Sequence, residues 1–185
     1  MSNNKIVIDK HRHTVEKIYQ DAKTAQLYSS LFSSFKYHAE PLEVTANRLV
    51  YQYVSGDELK VILKNPDSTR ARTAMRSLGS RLSENHKKYS LTNGIYGSIC
   101  RDRAIISKPS HVFIDSGYYF GNIHGDLNTK NIIVDEDGDI FFIDRLSETG
   151  DMMFDFTFVM SLLCNYLENH NRAYLDLIRV FFNSY

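Results

Sequence analysis

Several features of secreted, membrane-spanning or nucleic-acid-binding proteins are missing from this 185-residue sequence. It has two cysteines, Cys100 and Cys164, and no Cys-x-x-Cys pair, which argues against a disulfide framework or a zinc site and predicts a reducing, cytoplasmic location. No apolar run reaches membrane-spanning length, and residues 1–10 lack the pattern of a signal peptide. The 22 basic and 22 acidic residues cancel, whereas a nucleic-acid-binding protein usually carries a basic excess, so no nucleic-acid partner is expected.

The content of hydrophobic residues is sufficient for a folded core. Hydrophobic residues make up 43% of the chain and charged residues 24%, both ordinary for globular proteins. The length fits one modest domain or two small lobes that share a cleft.

The most informative stretch is a predicted β-hairpin near position 135. Two apolar runs, Ile132–Val134 and residues 140–143, flank a polar turn rich in Asp and Gly. His124, Asp126 and Asn131 precede the first run, and Asp144 follows the second. Antiparallel pairing would bring these ends together, so two carboxylates and an amide are expected to converge.

Such a convergence suits phosphoryl transfer. That reaction needs Mg²⁺ to neutralise the phosphates and a carboxylate to orient the attacking hydroxyl. Oxygen ligands from Asp and Asn suit Mg²⁺. The order H-x-D-x(4)-N, hairpin, Asp is also that of the catalytic loop and metal-binding Asp of kinases.

The segment His124-Gly125-Asp126-Leu127-Asn128-Thr129-Lys130-Asn131 resembles the HGDxxxxN loop of the aminoglycoside phosphotransferase and choline kinase family, a branch of the protein-kinase-like fold. The resemblance implies that Asp126 is the catalytic base. It also implies that Asn131, in the same catalytic loop, and Asp144 hold Mg²⁺. His124 would support the loop.

The same resemblance assigns an ATP site to the first third of the chain. Val15-Glu16-Lys17 is similar to the V-x-K of a kinase strand, so Lys17 is expected to contact the ATP phosphates. The segment LVYQYVSGDEL resembles the family's hinge, which implies that the backbone of Gln52, Tyr53 and Val54 contacts adenine. The alternative interpretations are that Lys17 is a solvated lysine at a strand edge and that the hinge segment is an ordinary amphipathic strand.

Two departures from the family pattern bear on activity. Only 16 residues precede Lys17 and none is Gly, so the first strand and its phosphate-covering loop are expected to be missing, because the chain is minimal or an upstream start has been lost. A helix is predicted over residues 21–35, with Asp21 as its N-cap, but residues 22–39 contain no acid to pair with Lys17. Gln26 can form a hydrogen bond there but cannot supply the charge.

The remaining elements follow from periodicity and turn signals. Strands are predicted at Lys5–Asp9, 14–19, Pro41–Val44 and 48–54, and helices at 56–64, 69–89, 156–168 and 171–182, with loops and short strands over 91–122. Asp155 resembles the family's second Asp, which bonds the catalytic loop; a plain helix N-cap is the alternative. Four arginines of the long helix are predicted to form a solvated face: Arg70, Arg72, Arg76 and Arg81.

Together these patterns predict an α+β, protein-kinase-like two-lobe fold. Residues 1–55 would form a reduced β-rich N-lobe with its hinge near 51–56, and residues 56–185 a shortened, mainly helical C-lobe. The expected activity is ATP- and Mg²⁺-dependent phosphoryl transfer to a hydroxyl of a small molecule, such as a sugar, aminoglycoside or amino alcohol. The alternatives are an atypical Bud32-like Ser/Thr protein kinase and a catalytically impaired kinase fold that acts as a binding or regulatory module.

Overall fold

The structure is a computed structural model and describes residues 5–30, 36–39, 41–87, 120–145, 149–167 and 172–185. Its first part is a four-stranded antiparallel sheet in the order β1-β2-β4-β3. The strands are β1 (Lys5–Asp9), β2 (Thr14–Ile18), β3 (Pro41–Val44) and β4 (Arg48–Gln52), and helix α1 (Ala22–Ser30) contacts β3 and β4. Strands β1 and β3 have the predicted bounds, whereas β2 and β4 end one and two residues earlier than predicted.

Local capping and side-chain alternation explain this first part. The Asp21 carboxylate accepts the Thr24 N–H at 2.7 Å and so caps α1, as predicted. Along β4, Leu49 and Tyr51 are buried, whereas their neighbours are not. These two side chains join Tyr19 and Ala25 in a small core of their own.

The second part contains more helix. Its elements, in chain order, are β5 (Asp57–Glu58), α2 (Leu59–Ile62), α3 (Thr69–Lys87), β6 (Phe120–Asn122), β7 (Ile132–Val134), β8 (Ile140–Phe142), β9 (Thr149–Asp151), α4 (Met152–Leu167) and α5 (Arg172–Ser184). The strands form a three-stranded sheet, β5-β7-β8, and a two-stranded sheet, β6-β9. No helix within the described ranges is both long and apolar enough to cross a membrane.

The main core lies between α3, α5 and the β7–β8 hairpin. Leu78, Leu82 and Phe142 are fully buried there, as are Leu177 and Phe181 from α5. Helices α3 and α5 approach closely because Gly79 has no side chain: a Cβ there would lie 2.5 Å from the carbonyl oxygen of Phe181.

The structure corrects two predictions about the helices. The arginines of α3 do not all lie on a solvated face, because Arg70 donates from Nε to the Asp135 carbonyl at 3.0 Å and Arg81 stacks 4.1 Å over the Tyr37 ring. Both arginines contact the β7–β8 hairpin, since Arg81 also donates to the Ile140 carbonyl, whereas Arg72 and Arg76 are exposed as predicted. Helix α4 begins at Met152, not at 156, so Asp155 lies inside its first turn and is not its N-cap.

Two other predictions are only partly met. The helix predicted over 56–64 is confined to α2, because Asp57 and Glu58 form strand β5 by pairing with β7. The predicted loops and short strands over 91–122 end in β6, and the residues before Phe120 lie outside the described ranges.

Candidate active site

The β7–β8 hairpin places the two ends of the predicted site together. Its antiparallel register pairs Ile132 with Phe142 and Val134 with Ile140. Beyond the ladder, the Ile143 N–H donates to the Asn131 carbonyl at 2.9 Å. This hydrogen bond closes the open end of the hairpin. It joins Ile143, which precedes Asp144, to Asn131, the last residue of the loop segment, here defined as residues 124–131.

Two amides hold the Asp126 carboxylate in this segment. Asn131 Nδ2 donates to the Asp126 carbonyl at 2.9 Å and to Oδ2 at 3.2 Å. Asn128 Nδ2 donates to the other oxygen, Oδ1, at 3.2 Å. Asn128 was missed at the sequence level, since it lies at a variable position of HGDxxxxN. A polar residue two positions after the Asp was the available signal.

Asp155 anchors the start of the segment from helix α4. Its buried carboxylate accepts the backbone N–H of His124 at 2.6 Å and that of Gly125 at 2.9 Å. Gly125 has a φ of 82°, a conformation that glycine adopts without a Cβ penalty. The geometry is therefore that of a support for the loop.

His124 is fully buried and bridges the loop to the hairpin. Its Nε2 donates to the Ile143 carbonyl at 2.8 Å, so Nδ1 is left to accept the Asp126 N–H at 3.3 Å. Burial lowers the pKa of His124, which keeps the ring neutral in this tautomer.

Asp144 and Lys17 meet across the two parts of the structure. Lys17 Nζ lies 2.6 Å from Asp144 Oδ1, although 127 residues separate them in sequence. The Lys17 side chain is 13% exposed and that of Asp144 43%. Asp144 has a φ of 56°, an uncommon conformation for a residue with a Cβ, and such outliers cluster at functional sites. The acid that the family carries in this helix is absent from the part of α1 that the structure describes, and Gln26 is exposed.

The residue after Asp144 is fixed in the core. Arg145 is fully buried, donates from Nε to the Ile123 carbonyl at 2.9 Å and also bonds the Asn122 side chain. Its backbone N–H donates to His38 Nε2 at 3.3 Å. Burial lowers the pKa of His38 to about 3, so the ring is neutral and can accept this bond. Neither Arg145 nor His38 is among the site residues predicted from the sequence.

The predicted hinge residues lie at and just beyond the end of strand β4, and one of their backbone N–H donors is already used. The Tyr53 N–H donates to the His13 carbonyl at 2.7 Å and extends the β2–β4 pairing by one residue. Gln52 still belongs to the strand, opposite Thr14. The prediction that this backbone contacts adenine therefore depends on groups other than the Tyr53 N–H.

The donor set fits Mg²⁺ better than a metal that needs a preformed cage. Because Asn131 Nδ2 bonds a carbonyl and a carboxylate, the amide orientation is fixed, and Oδ1 is the atom that would be available to a metal. Asp144 supplies a half-exposed carboxylate. Within the described ranges, no group of three or more His, Cys, Asp or Glu side chains could hold a metal. Mg²⁺ commonly uses one or two protein ligands together with water and substrate phosphates.

No protein-family model and no curated protein matches the chain in sequence, but solved structures match it in fold. A choline/ethanolamine kinase family protein from Mesorhizobium loti matches with a TM-score of 0.57 and 13% identity, over 97% of this chain and 66% of that one. Choline kinase LicA from Streptococcus pneumoniae matches with a TM-score of 0.55 and 17% identity, over 96% of this chain and 70% of that one.

The ternary complex of APH(2″)-IIa, an aminoglycoside phosphotransferase, with streptomycin and ATP matches with a TM-score of 0.54 and 15% identity, over 84% of this chain and 66% of that one. The chain thus spans about two thirds of the length of these structures. The predicted fold, an α+β kinase-like fold of the aminoglycoside phosphotransferase and choline kinase type, is confirmed.

Proposed function

We propose that this chain is an ATP- and Mg²⁺-dependent phosphotransferase that moves the γ-phosphoryl group to a hydroxyl of a small molecule. The observation that carries the proposal is the meeting of Lys17 with Asp144 at 2.6 Å, beside a loop whose amides hold Asp126. One cation, two carboxylates and an amide oxygen in one place are the groups that phosphoryl transfer requires.

Asp126 acts as the base in this proposal. Asn128 and Asn131 each donate to one of its oxygens, so the carboxylate cannot rotate away from an incoming hydroxyl. A carboxylate oxygen has two lone pairs, and the second one remains to accept the hydroxyl proton. Positioning of this kind is the main contribution that a kinase loop makes.

Asn131 Oδ1 and Asp144 would hold Mg²⁺, and Lys17 would contact the phosphates. When bound, Mg²⁺ neutralises charge on the phosphate oxygens. Lys17 could contact the phosphates without moving far, because its ammonium already lies beside Asp144, where the phosphates would bind. The backbone of Gln52, Tyr53 and Val54, apart from the Tyr53 N–H, would contact adenine, and the lobes would be residues 1–55 and 56–185.

The acceptor class is proposed from the loop and from the matched structures. The loop reads His-Gly-Asp, as in small-molecule kinases, and the matched structures include choline kinases and complexes with streptomycin and gentamicin. We therefore place amino alcohols and aminoglycosides first. A cytoplasmic site of action fits the use of ATP.

A thermal-shift titration tests the nucleotide site directly. ATP that binds only the folded protein raises the stability by about 2.7 kcal/mol at one hundred times its Kd. The rise should need Mg²⁺ in the wild type and should disappear in Asp144→Asn. If no shift occurs in a folded wild-type protein, the phosphotransferase proposal is wrong and the binding or regulatory module becomes the better interpretation.

Turnover tests the base. With choline, ethanolamine, streptomycin and gentamicin as acceptors, Asp126→Asn should keep the ATP-induced thermal shift and lose phosphoryl transfer. Lys130→Ala, a change at an exposed position of the same loop, is the matched control and should retain turnover. Transfer that persists in Asp126→Asn would refute the base assignment. Transfer only to a protein substrate would favour the Bud32-like alternative.

A further inference from the structure

Strand β1 leaves an apolar edge at one side of the first sheet. Among the described strands it pairs with β2 alone and ends the sheet order. Its three central side chains are apolar and exposed: Ile6 at 56%, Val7 at 39% and Ile8 at 53%. An edge of this kind presents unpaired backbone N–H and C=O groups to a further strand.

The opposite edge of the same sheet is protected, which makes β1 the open one. Strand β3 begins with Pro41, which has no N–H, and its register with β4 shifts between Pro41 and Glu43. By contrast, β1 has neither proline nor bulge, and all five of its residues pair in unbroken register with β2. Proline and bulges are devices that keep edges from pairing, and β1 lacks both.

The sequence of β1 is complementary to itself in the antiparallel direction. It reads Lys-Ile-Val-Ile-Asp, with opposite charges at its two ends. We propose that β1 pairs with β1 of a second copy of this chain about a two-fold axis through Val7. Lys5 then lies opposite Asp9 of the second copy, Ile6 opposite Ile8, and Val7 opposite Val7. A two-fold interface requires such self-complementarity.

The charged residues at the two ends of β1 are accessible for this pairing. Asp9 Oδ1 accepts the backbone N–H groups of His11 and Arg12, each at 3.0 Å, so its carboxylate is held at the strand end. The side chain remains 42% exposed, and Lys5 is exposed as well. Opposite charges that face each other across two strands stabilise the pair.

The pairing would extend the sheet in its own plane, on the side of β1 away from β2. Ile6 is paired with Lys17 and Ile8 with Val15, so the two isoleucines share the sheet face of Lys17, whereas Val7 lies on the other face. The sheet would continue from four strands to eight through the two-fold axis. Asp126, Asn131 and Asp144 belong to the other part of the structure, so dimerisation does not depend on the proposed function.

Sedimentation equilibrium on the full chain tests the proposal. The wild type should rise with concentration from 21.4 kDa towards twice that mass. In Val7→Glu, two like charges face each other at the axis, and the dimer dissociation constant should rise at least tenfold. Val7→Lys should behave in the same way. An equimolar mixture of the two variants should recover a heterodimer, because Glu then faces Lys.

Leu42→Glu is the matched control, since Leu42 is 62% exposed on the protected edge and its change should leave the dimer intact. Circular dichroism must show that each variant is folded. A wild type that stays at 21.4 kDa at all concentrations overturns the proposal. A dimer that survives Val7→Glu, or is lost in Leu42→Glu, also overturns it, as does a mixture that fails to pair.

Discussion

Removing either partner of the Lys17–Asp144 pair should have unequal effects on stability. Their N···O distance is 2.6 Å, but the Lys17 side chain is 13% exposed and the Asp144 side chain 43%. Asp144→Asn therefore leaves an ammonium group away from water with no counter-charge. Lys17→Met leaves a carboxylate that water can still reach, and the methionine fills much of the space of the lysine stem.

The magnitudes follow from these exposures. Loss of a hydrogen bond to a largely buried charged group costs roughly 1.5–3 kcal/mol, so Asp144→Asn should lower the free energy of unfolding by about 2 kcal/mol. Lys17→Met should cost about 1 kcal/mol or less, as for pairs near the surface. Asp144→Ala should cost about 1 kcal/mol more than Asp144→Asn, because Asn tolerates the φ of 56° at this position and Ala does not.

Urea denaturation at pH 7 without nucleotide measures these values. The double variant Lys17→Met/Asp144→Asn should cost less than the sum of the single changes, because the stranded ammonium is gone. Glu43→Gln is the control: its carboxylate lies 2.7 Å from Arg48, but both side chains are at least 36% exposed, so the cost should stay below about 0.5 kcal/mol. A Lys17→Met that costs more than Asp144→Asn would refute the reasoning.

Three further changes test the loop, the core and a buried histidine. Asn128→Ala removes the hydrogen bond to one oxygen of Asp126 and should lower kcat roughly 10- to 100-fold with little change in the KM for ATP. Steady-state kinetics measures both values, and an unchanged kcat would contradict this prediction. Gly79→Ala should lower the urea midpoint despite the better helix propensity of Ala (about 1 kcal/mol), because its Cβ would lie 2.5 Å from the Phe181 carbonyl; Ser80→Ala, at the exposed next residue, should not. Burial lowers the pKa of His38 to about 3, so below about pH 6.5 the unfolded chain binds a proton at this residue that the folded protein does not bind. The free energy of unfolding should therefore fall by about 2 kcal/mol from this group between pH 7 and pH 5. That fall should shrink in His38→Gln and persist in His11→Asn, where the histidine is exposed; equal falls in all three proteins would show that His38 is not the cause.

The parts of the site that sequence could predict are those encoded locally. The spacing of Asp126 and Asn131 and the two apolar runs of the hairpin lie within a few residues of one another, and the pairing of β7 with β8 follows from a short turn. Asp155 could be assigned to the loop through resemblance to the family. Its observed bonds to His124 and Gly125 have the expected geometry.

The parts that sequence could not predict depend on where distant segments meet. Arg70 and Arg81 look like ordinary surface residues of a polar helix until the hairpin carbonyls lie against them. Arg145 is fully buried, which composition alone argues against, because its bonding partners Ile123 and Asn122 lie more than 20 residues earlier in the chain. Tertiary contacts of this kind carry no periodic signal.

Lys17 shows how a correct observation about sequence can still miss the arrangement. Helix α1 lacks an acid within its described residues, and the same lack in the sequence put the usual ion pair of Lys17 in doubt. The structure supplies the carboxylate from Asp144 instead, so the same residue that would hold Mg²⁺ also neutralises the lysine. In the proposed enzyme the metal and the lysine must then share one carboxylate. Because phosphates would bring fresh negative charge to both cations, nucleotide and metal should bind with positive coupling, each weakly without the other.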